Sequence, residues 1–232
     1  MNLLIALLVA FPGTRIANLP TGRLLEPGIW QVGVSHRFLS AADNEQLKGN
    51  PLNFVTNASV RVFLDRGITR RLSVGIAGGN ASHDLGLHAG WAPTRWLTAS
   101  AGAWTDLVER GPTSTRAWFA AGLPLTLARR VHLLLQPRAG TNFDELVVSL
   151  GAGAQLSLPA GLSLGLETEP VLLGESDKLA WNLALDKQLG WHNFTFVAGN
   201  NWHQAAPDWF TRANRDITRG YFRVGFNILR KL

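Results

Sequence analysis

The chain has 232 residues, 46% hydrophobic and only 16% charged, with 22 Lys and Arg against 16 Asp and Glu and no cysteine. Without cysteine there is no disulfide and no thiolate metal site, no apolar run reaches the roughly 20 residues of a membrane helix, and the formal net charge of +6 is carried by scattered or paired residues that make no nucleic-acid footprint. A chain poor in charge, yet without a membrane helix, fits a transmembrane barrel, in which half of each strand is apolar; a β-sandwich or a lectin-like domain also fits.

Leu3 to Phe11 form an apolar run closed by Pro12 and Gly13. It has the length of a signal-peptide core but neither a basic start nor a small-x-small cleavage site. The expectation is a partial export signal within an N-terminal periplasmic segment over 1–27; the alternative is a short segment that packs against the barrel mouth. A single barrel domain is expected over 28–232.

From Gly28 onward the dominant period is two, over segments of roughly ten residues, which marks transmembrane strands. Trp30, Val32, Val34 and Phe38 share one face, opposite Gln31, Gly33, Ser35 and Arg37. Ala58 to Leu64 alternate against Ser59, Arg61, Phe63 and Asp65, and after Arg66 to Arg71 a third strand sets Leu72, Val74 and Ile76 outward. Leu85, Leu87, Ala89 and Trp91 oppose Asp84, Gly86, His88 and Gly90. Leu97 to Ala103 oppose Thr98, Ser100, Gly102 and Trp104. The scheme then repeats through Ala117 to Leu123, Val131 to Leu135, Leu146 to Leu156, Leu162 to Leu166, Leu179 to Leu185, Phe194 to Ala198 and Phe222 to Ile228. The expected fold is an all-β, antiparallel up-and-down transmembrane barrel of about twelve strands, ten or fourteen if a hairpin is miscounted.

Connections alternate in character. Arg66 to Arg71, Ala92 to Arg95, Thr126 to Arg130, Ser157 to Gly161 and Gln188 to Asn193 are short, whereas Ser40 to Thr56, Val108 to Ser114, Gly140 to Asp144, Leu172 to Asp177 and Asn201 to Thr218 lie on the other side. Short turns face the periplasm in outer-membrane barrels, so both termini are expected there. Trp30, Trp91, Trp96 and Trp191 fall beside short turns, as an interface girdle requires. Arg66, Arg70, Arg71, Arg95, Arg129, Arg130 and Lys187 cluster at the same rim, where lipid phosphates would meet them.

The charged residues sit on the non-apolar faces. Arg37, Arg61, Asp65, Asp84, Asp106, Arg116, Arg138, Glu167, Asp186 and Arg223 are the candidate lumen lining, with Trp104 and Trp118. In lipid each charge would cost about 2–4 kcal/mol at the midplane; in a bore the charges pair or hydrate. Three functions follow. The first is a narrow pore or substrate-specific channel, in which the arginines attract anions or pair with the acids and close the bore. The second is a plugged structural or docking barrel for an envelope partner, for which Trp202, His203, Trp209 and Phe210 of the last loop offer a contact surface. The third, a lipid-modifying enzyme, lacks a motif: Ser82, His83 and Asp84 are neighbours that point to opposite faces, and His36 faces lipid. No catalytic residue, cofactor or metal is expected. The expected partners are outer-membrane lipids, with a small solute or an envelope protein, in the bacterial outer membrane.

Several stretches carry a resemblance. Thr14-Arg15-Ile16 leads into a strand ending Ser35-His36-Arg37-Phe38; Asp65 to Gly75 reads DRGITRRLSVG; the chain closes on Gly225-Phe226-Asn227-Ile228-Leu229-Arg230. Together they resemble a bacterial outer-membrane β-barrel family known as domain of unknown function fifty-seven seventy-seven. The resemblance implies an outer-membrane barrel and carries over no functional residue.

Overall fold

The computed structural model describes residues 14–38, 58–80, 83–108, 115–127, 130–141, 145–174, 179–200 and 222–232. The Leu3 to Phe11 run, Ser82, Arg129, most of the longer connections and the Trp202, His203, Trp209 and Phe210 set lie outside them.

Among the described residues the alternation of apolar and polar residues produces thirteen strands: β1 (Trp30–Phe38), β2 (Ala58–Thr69), β3 (Leu72–Gly79), β4 (Asp84–Trp91), β5 (Thr98–Asp106), β6 (Thr115–Leu127), β7 (Val131–Thr141), β8 (Leu146–Leu158), β9 (Leu162–Glu169), β10 (Val171–Leu173), β11 (Ala180–Leu189), β12 (His192–Gly199) and β13 (Arg223–Lys231). They make twelve staves, because β9 and β10 both pair with β8 and are one stave interrupted at Pro170. Proline donates no ladder hydrogen bond, which accounts for the break. Each stave pairs antiparallel with its sequence neighbour, and β1 pairs with β13 from Gln31↔Lys231 to Arg37↔Gly225. The sheet closes on itself through β8–β9, β9–β11 and β1–β13, which removes the open edges a flat sheet would have.

The two faces of this sheet are inverted relative to a soluble protein. Leu87 is 65% exposed, Phe196 53% and Leu164 48%, all on the outside. Among the described residues 24 buried side chains are polar or charged and 13 are hydrophobic. A sandwich would bury the apolar face of each strand; here that face lines the perimeter, which only a lipid environment stabilises. The chain therefore folds as a closed twelve-stave membrane barrel, as the period of two predicts.

At the rim formed by the short turns, β2 and β3 are joined through Arg70 and Arg71, β8 and β9 through a 3-10 turn at Pro159–Gly161, and β11 and β12 through Gly190 and Trp191. Gly190 has φ +57°, a conformation that costs glycine little. Trp30, Trp91, Trp96 and Trp191 all stand at this rim and are exposed. Arg66 lies 4.9 Å above the Trp30 ring.

Candidate functional site

The site is the bore. Along β2 to β6 the inner face carries pairs of large side chains set on either side of a glycine. Arg61 Nη1 donates to both oxygens of Asp84 at 3.0 and 3.1 Å. Register places Gly79 of β3 beside Arg61, and a Cβ there would stand 3.3 Å from the Asp84 carboxylate and 3.4 Å from Arg61 Nη1. Asp65 and Gly75 are likewise in register, as are Gly75 and His88, and His88 Nε2 lies 2.6 Å from Asp65 across that glycine. The aromatic plates follow the same logic: Trp104 lies over Gly86, Phe63 over Gly33 and Trp118 against Gly102. Guanidinium groups cover two of them, Arg61 at 3.9 Å from the Trp104 ring and Arg15 at 4.8 Å from Phe63, geometry that gains cation–π attraction.

The opposite wall, β7 to β13 with β1, holds longer networks. Arg138 donates to Glu169 at 3.3 and 3.1 Å and to Gln136 Oε1 at 2.9 Å, and Ser149 Oγ donates to Glu169 at 2.7 Å. Asp186 sits between Ser163 and Thr195 of the neighbouring strands. It accepts from both hydroxyls and from Gln155 Nε2 at 3.1 Å. Asn182 Nδ2 donates to Glu167 at 2.7 Å.

Against this second wall lies a hairpin made of residues 14–25, set apart from the barrel domain in the sequence division at residue 27. Ile16 N donates to Leu19 O at 3.0 Å and Thr21 N to Thr14 O at 2.9 Å, with a bridge between Arg15 and Pro20. Ile16, Ala17 and Leu19 are each only 1% exposed although they belong to no strand. The wall supplies the partners their backbone needs. Glu167 accepts from Asn18 N at 3.0 Å and Leu19 N at 3.0 Å, Asn227 Nδ2 donates to Ala17 O at 2.9 Å, Arg37 Nη2 to Asn18 Oδ1 at 2.9 Å and Gln136 Nε2 to Pro20 O at 3.3 Å. Ile16 and Leu19 pack on Leu134, and Ala17 on Ala184 and Val197. Three wall glycines form the seat: a Cβ on Gly153 would approach Ile16 to 2.5 Å, one on Gly165 to 2.7 Å, and one on Gly151 would approach Leu19 to 2.9 Å. Between hairpin and the first wall a cavity of about 120 Å³ remains, bordered by Arg15, Ser35, Arg61, His88 and Trp118 among others.

Of the residues proposed from sequence, Arg37, Arg61, Asp84, Trp104, Arg138, Glu167, Asp186 and Arg223 are buried on the inner face, and Asp65, Asp106, Arg116 and Trp118 are half-buried there. They form separate clusters and not one ladder. Arg61 meets Asp84, but Arg138 meets Glu169, which the sequence reading leaves out; the strand's parity through Ser163, Gly165 and Glu167 reaches it two residues later. Asp106 accepts from Val108 N at 2.7 Å. His36 faces outward, stacked on Phe226 with ring centroids 4.9 Å apart. His132 bridges Thr126 Oγ1 at 3.0 Å and Ser157 Oγ at 3.1 Å while only 1% exposed.

Residues 132–232 match the family model described as Membrane bound beta barrel domain (DUF5777). This is the family named above from short motifs, of which Gly225 to Arg230 lies inside the match. Among solved structures, the KdgM porin superposes with a TM-score of 0.53 at 10% identity, covering 86% of this chain and 98% of that one. The COG4313 outer membrane channel from Pseudomonas putida F1 superposes with a TM-score of 0.50 at 13% identity, over 90% and 97%. These likenesses are of fold. No curated protein matches the sequence.

Proposed function

We propose that the chain is a barrel of the bacterial outer membrane, with both termini on the periplasmic side, that serves as a narrow channel for small polar solutes through a bore lined by charges of both signs. One observation carries the reading: among the described residues polar and charged side chains are buried on the inner face at every height, from Gln31 beside the short turns to Arg37 and Arg138 farther along their strands, and outnumber the buried apolar ones. A merely structural filling needs no such investment, since a closed core is cheaper when apolar. Arg61 is paired with Asp84 and Arg138 with Glu169, while Arg37, Glu167 and Asp186 are held by amides, hydroxyls and carbonyls, so a passing solute meets hydrogen-bonded charges of both signs instead of a bare field of one sign. Outside, the Trp rim and the exposed Arg70, Arg71 and Arg95 suit headgroup and phosphate level, while Lys187 is engaged by the Ala160 carbonyl at 2.6 Å. The role requires no cofactor and no catalytic group.

The hairpin in the bore favours a second reading, a plugged barrel that docks an envelope partner. Planar-bilayer recording of the refolded full chain separates the two. Small, reproducible unitary currents support the channel. A folded, heat-modifiable barrel with no current under any voltage supports the plugged alternative.

A further inference from the structure

We propose that residues 14–25 are a displaceable gate, a hairpin that closes the bore when seated and leaves by the short-turn mouth as one unit; this rests on the channel reading. Both limbs of the hairpin open toward that mouth. On one limb, Thr14 Oγ1 accepts from Gln31 Nε2 at 3.3 Å, and Gln31 is the second residue of β1. On the other, the chain runs from Leu25 to Gly28, whose N–H donates to Gly67 O at 2.8 Å beside the β2–β3 turn. The tip, Ile16 to Leu19, points deepest, toward Arg37 and Glu167. A loop entered and left through one opening withdraws without threading.

The seat is shaped for this occupant and does not depend on it. Gly151, Gly153 and Gly165 leave the space that Ile16 and Leu19 fill, and larger residues there would exclude the tip. Yet the groups that hold the tip are wall groups with other partners. Glu167 keeps Asn182, Arg37 keeps the carbonyls of His36 and Phe226 and the Asn227 amide, and Asn227 keeps Ser35. Water replaces the rest at little cost in a polar bore. The apolar contact holding the tip is small: Ile16, Leu19 and Leu134 with Trp118 packed against them on one side, and Ala17, Ala184 and Val197 on the other. The cavity beside the hairpin gives it room to shift before it leaves.

The natural chain has no cysteine, so an engineered pair reports without interference. Ala17→Cys with Ala184→Cys joins hairpin to wall in the cluster they share; a deletion of 14–25 removes the gate. Bilayer currents are recorded for the full chain, the deletion and the cysteine pair, oxidised and then reduced, with the cross-link yield read by mass spectrometry. The gate predicts efficient cross-linking, currents lost on oxidation and regained on reduction, and a several-fold larger unitary conductance in the deletion. Absence of the cross-link in folded protein overturns it, as do equal currents in the oxidised and reduced forms. If the full chain and the deletion conduct equally, the gate falls and the channel stands; if every folded form is silent, the channel falls with it. Should the deletion not fold, the cysteine pair decides alone.

Discussion

On the β2–β6 side of the bore, Arg61 and Asp84, and Asp65 and His88, reach each other across glycines of the intervening strand, and Arg61, Asp65 and His88 border a cavity. On the β7–β13 side, Glu167, Asn227, Arg37 and Gln136 reach past the wall to the backbone of residues 17–20. Both sides carry buried charge on alternating inward positions, and both use glycine to make room. The first fills that room mainly with its own side chains and meets the hairpin where Arg15 covers Phe63; the second fills it with a guest. Wall stability and bore occupancy thus reside in different residues of one sheet, and substitutions should separate them.

The largest effect is expected on the first wall. Arg61→Ala removes the guanidinium held by Asp84 and the cover on Trp104. Breaking a buried ion pair from one side costs about 3–5 kcal/mol, so the unfolding midpoint in urea should fall while the Ala17–Ala184 cross-link still forms. Loss of the cross-link with stability intact would erase the distinction between the walls. Next comes a test of the two faces of the sheet: Leu87→Arg, outward and 65% exposed, should cost about 2–4 kcal/mol in lipid. Ser100→Arg, half-buried on the inner face of the next strand, should cost much less in the same assay; equal costs would contradict the inside–outside assignment. On the second wall, Glu167→Ala removes the acceptor of two hairpin N–H groups, worth about 1–3 kcal/mol. Its effect should appear as faster protease cleavage within 14–25 and slower cross-linking, with the barrel's own unfolding midpoint lowered less than by Arg61→Ala, since in the wall only the Asn182 amide loses a partner. Trp96→Ala, at a rim shared by four tryptophans, should give the smallest change, seen as slower insertion into vesicles with bore currents unaltered.

The wall was legible because its physics is local. A period of two survives in any strand with lipid on one side and water or polar side chains on the other, so Leu164 and Glu167 declare their faces without knowledge of their neighbours. Short turns and rim tryptophans follow from the same geometry. The hairpin was not legible. Thr14 to Leu25 has no alternation, and its apolar Ile16, Leu19, Leu24 and Leu25 follow an apolar run that resembles a leader. What buries it is the shape of a space formed by strands more than a hundred residues away. The trace of that space in the sequence is Gly151, Gly153 and Gly165, inward glycines on adjacent strands, whose occupant only the folded chain reveals. Glu169 is hidden for a simpler reason: Pro170 interrupts the stave directly after it, so the alternation through Ser163, Gly165 and Glu167 gives no signal past the break.

Everything rests on which face of the sheet meets lipid. Single cysteines at Ser163, Leu164, Gly165 and Leu166 of β9, each labelled with bimane in a vesicle containing brominated acyl chains, test this residue by residue. The account predicts quenching at 164 and 166 and none at 163 and 165. Quenching at all four positions, or at 163 and 165 alone, would contradict it.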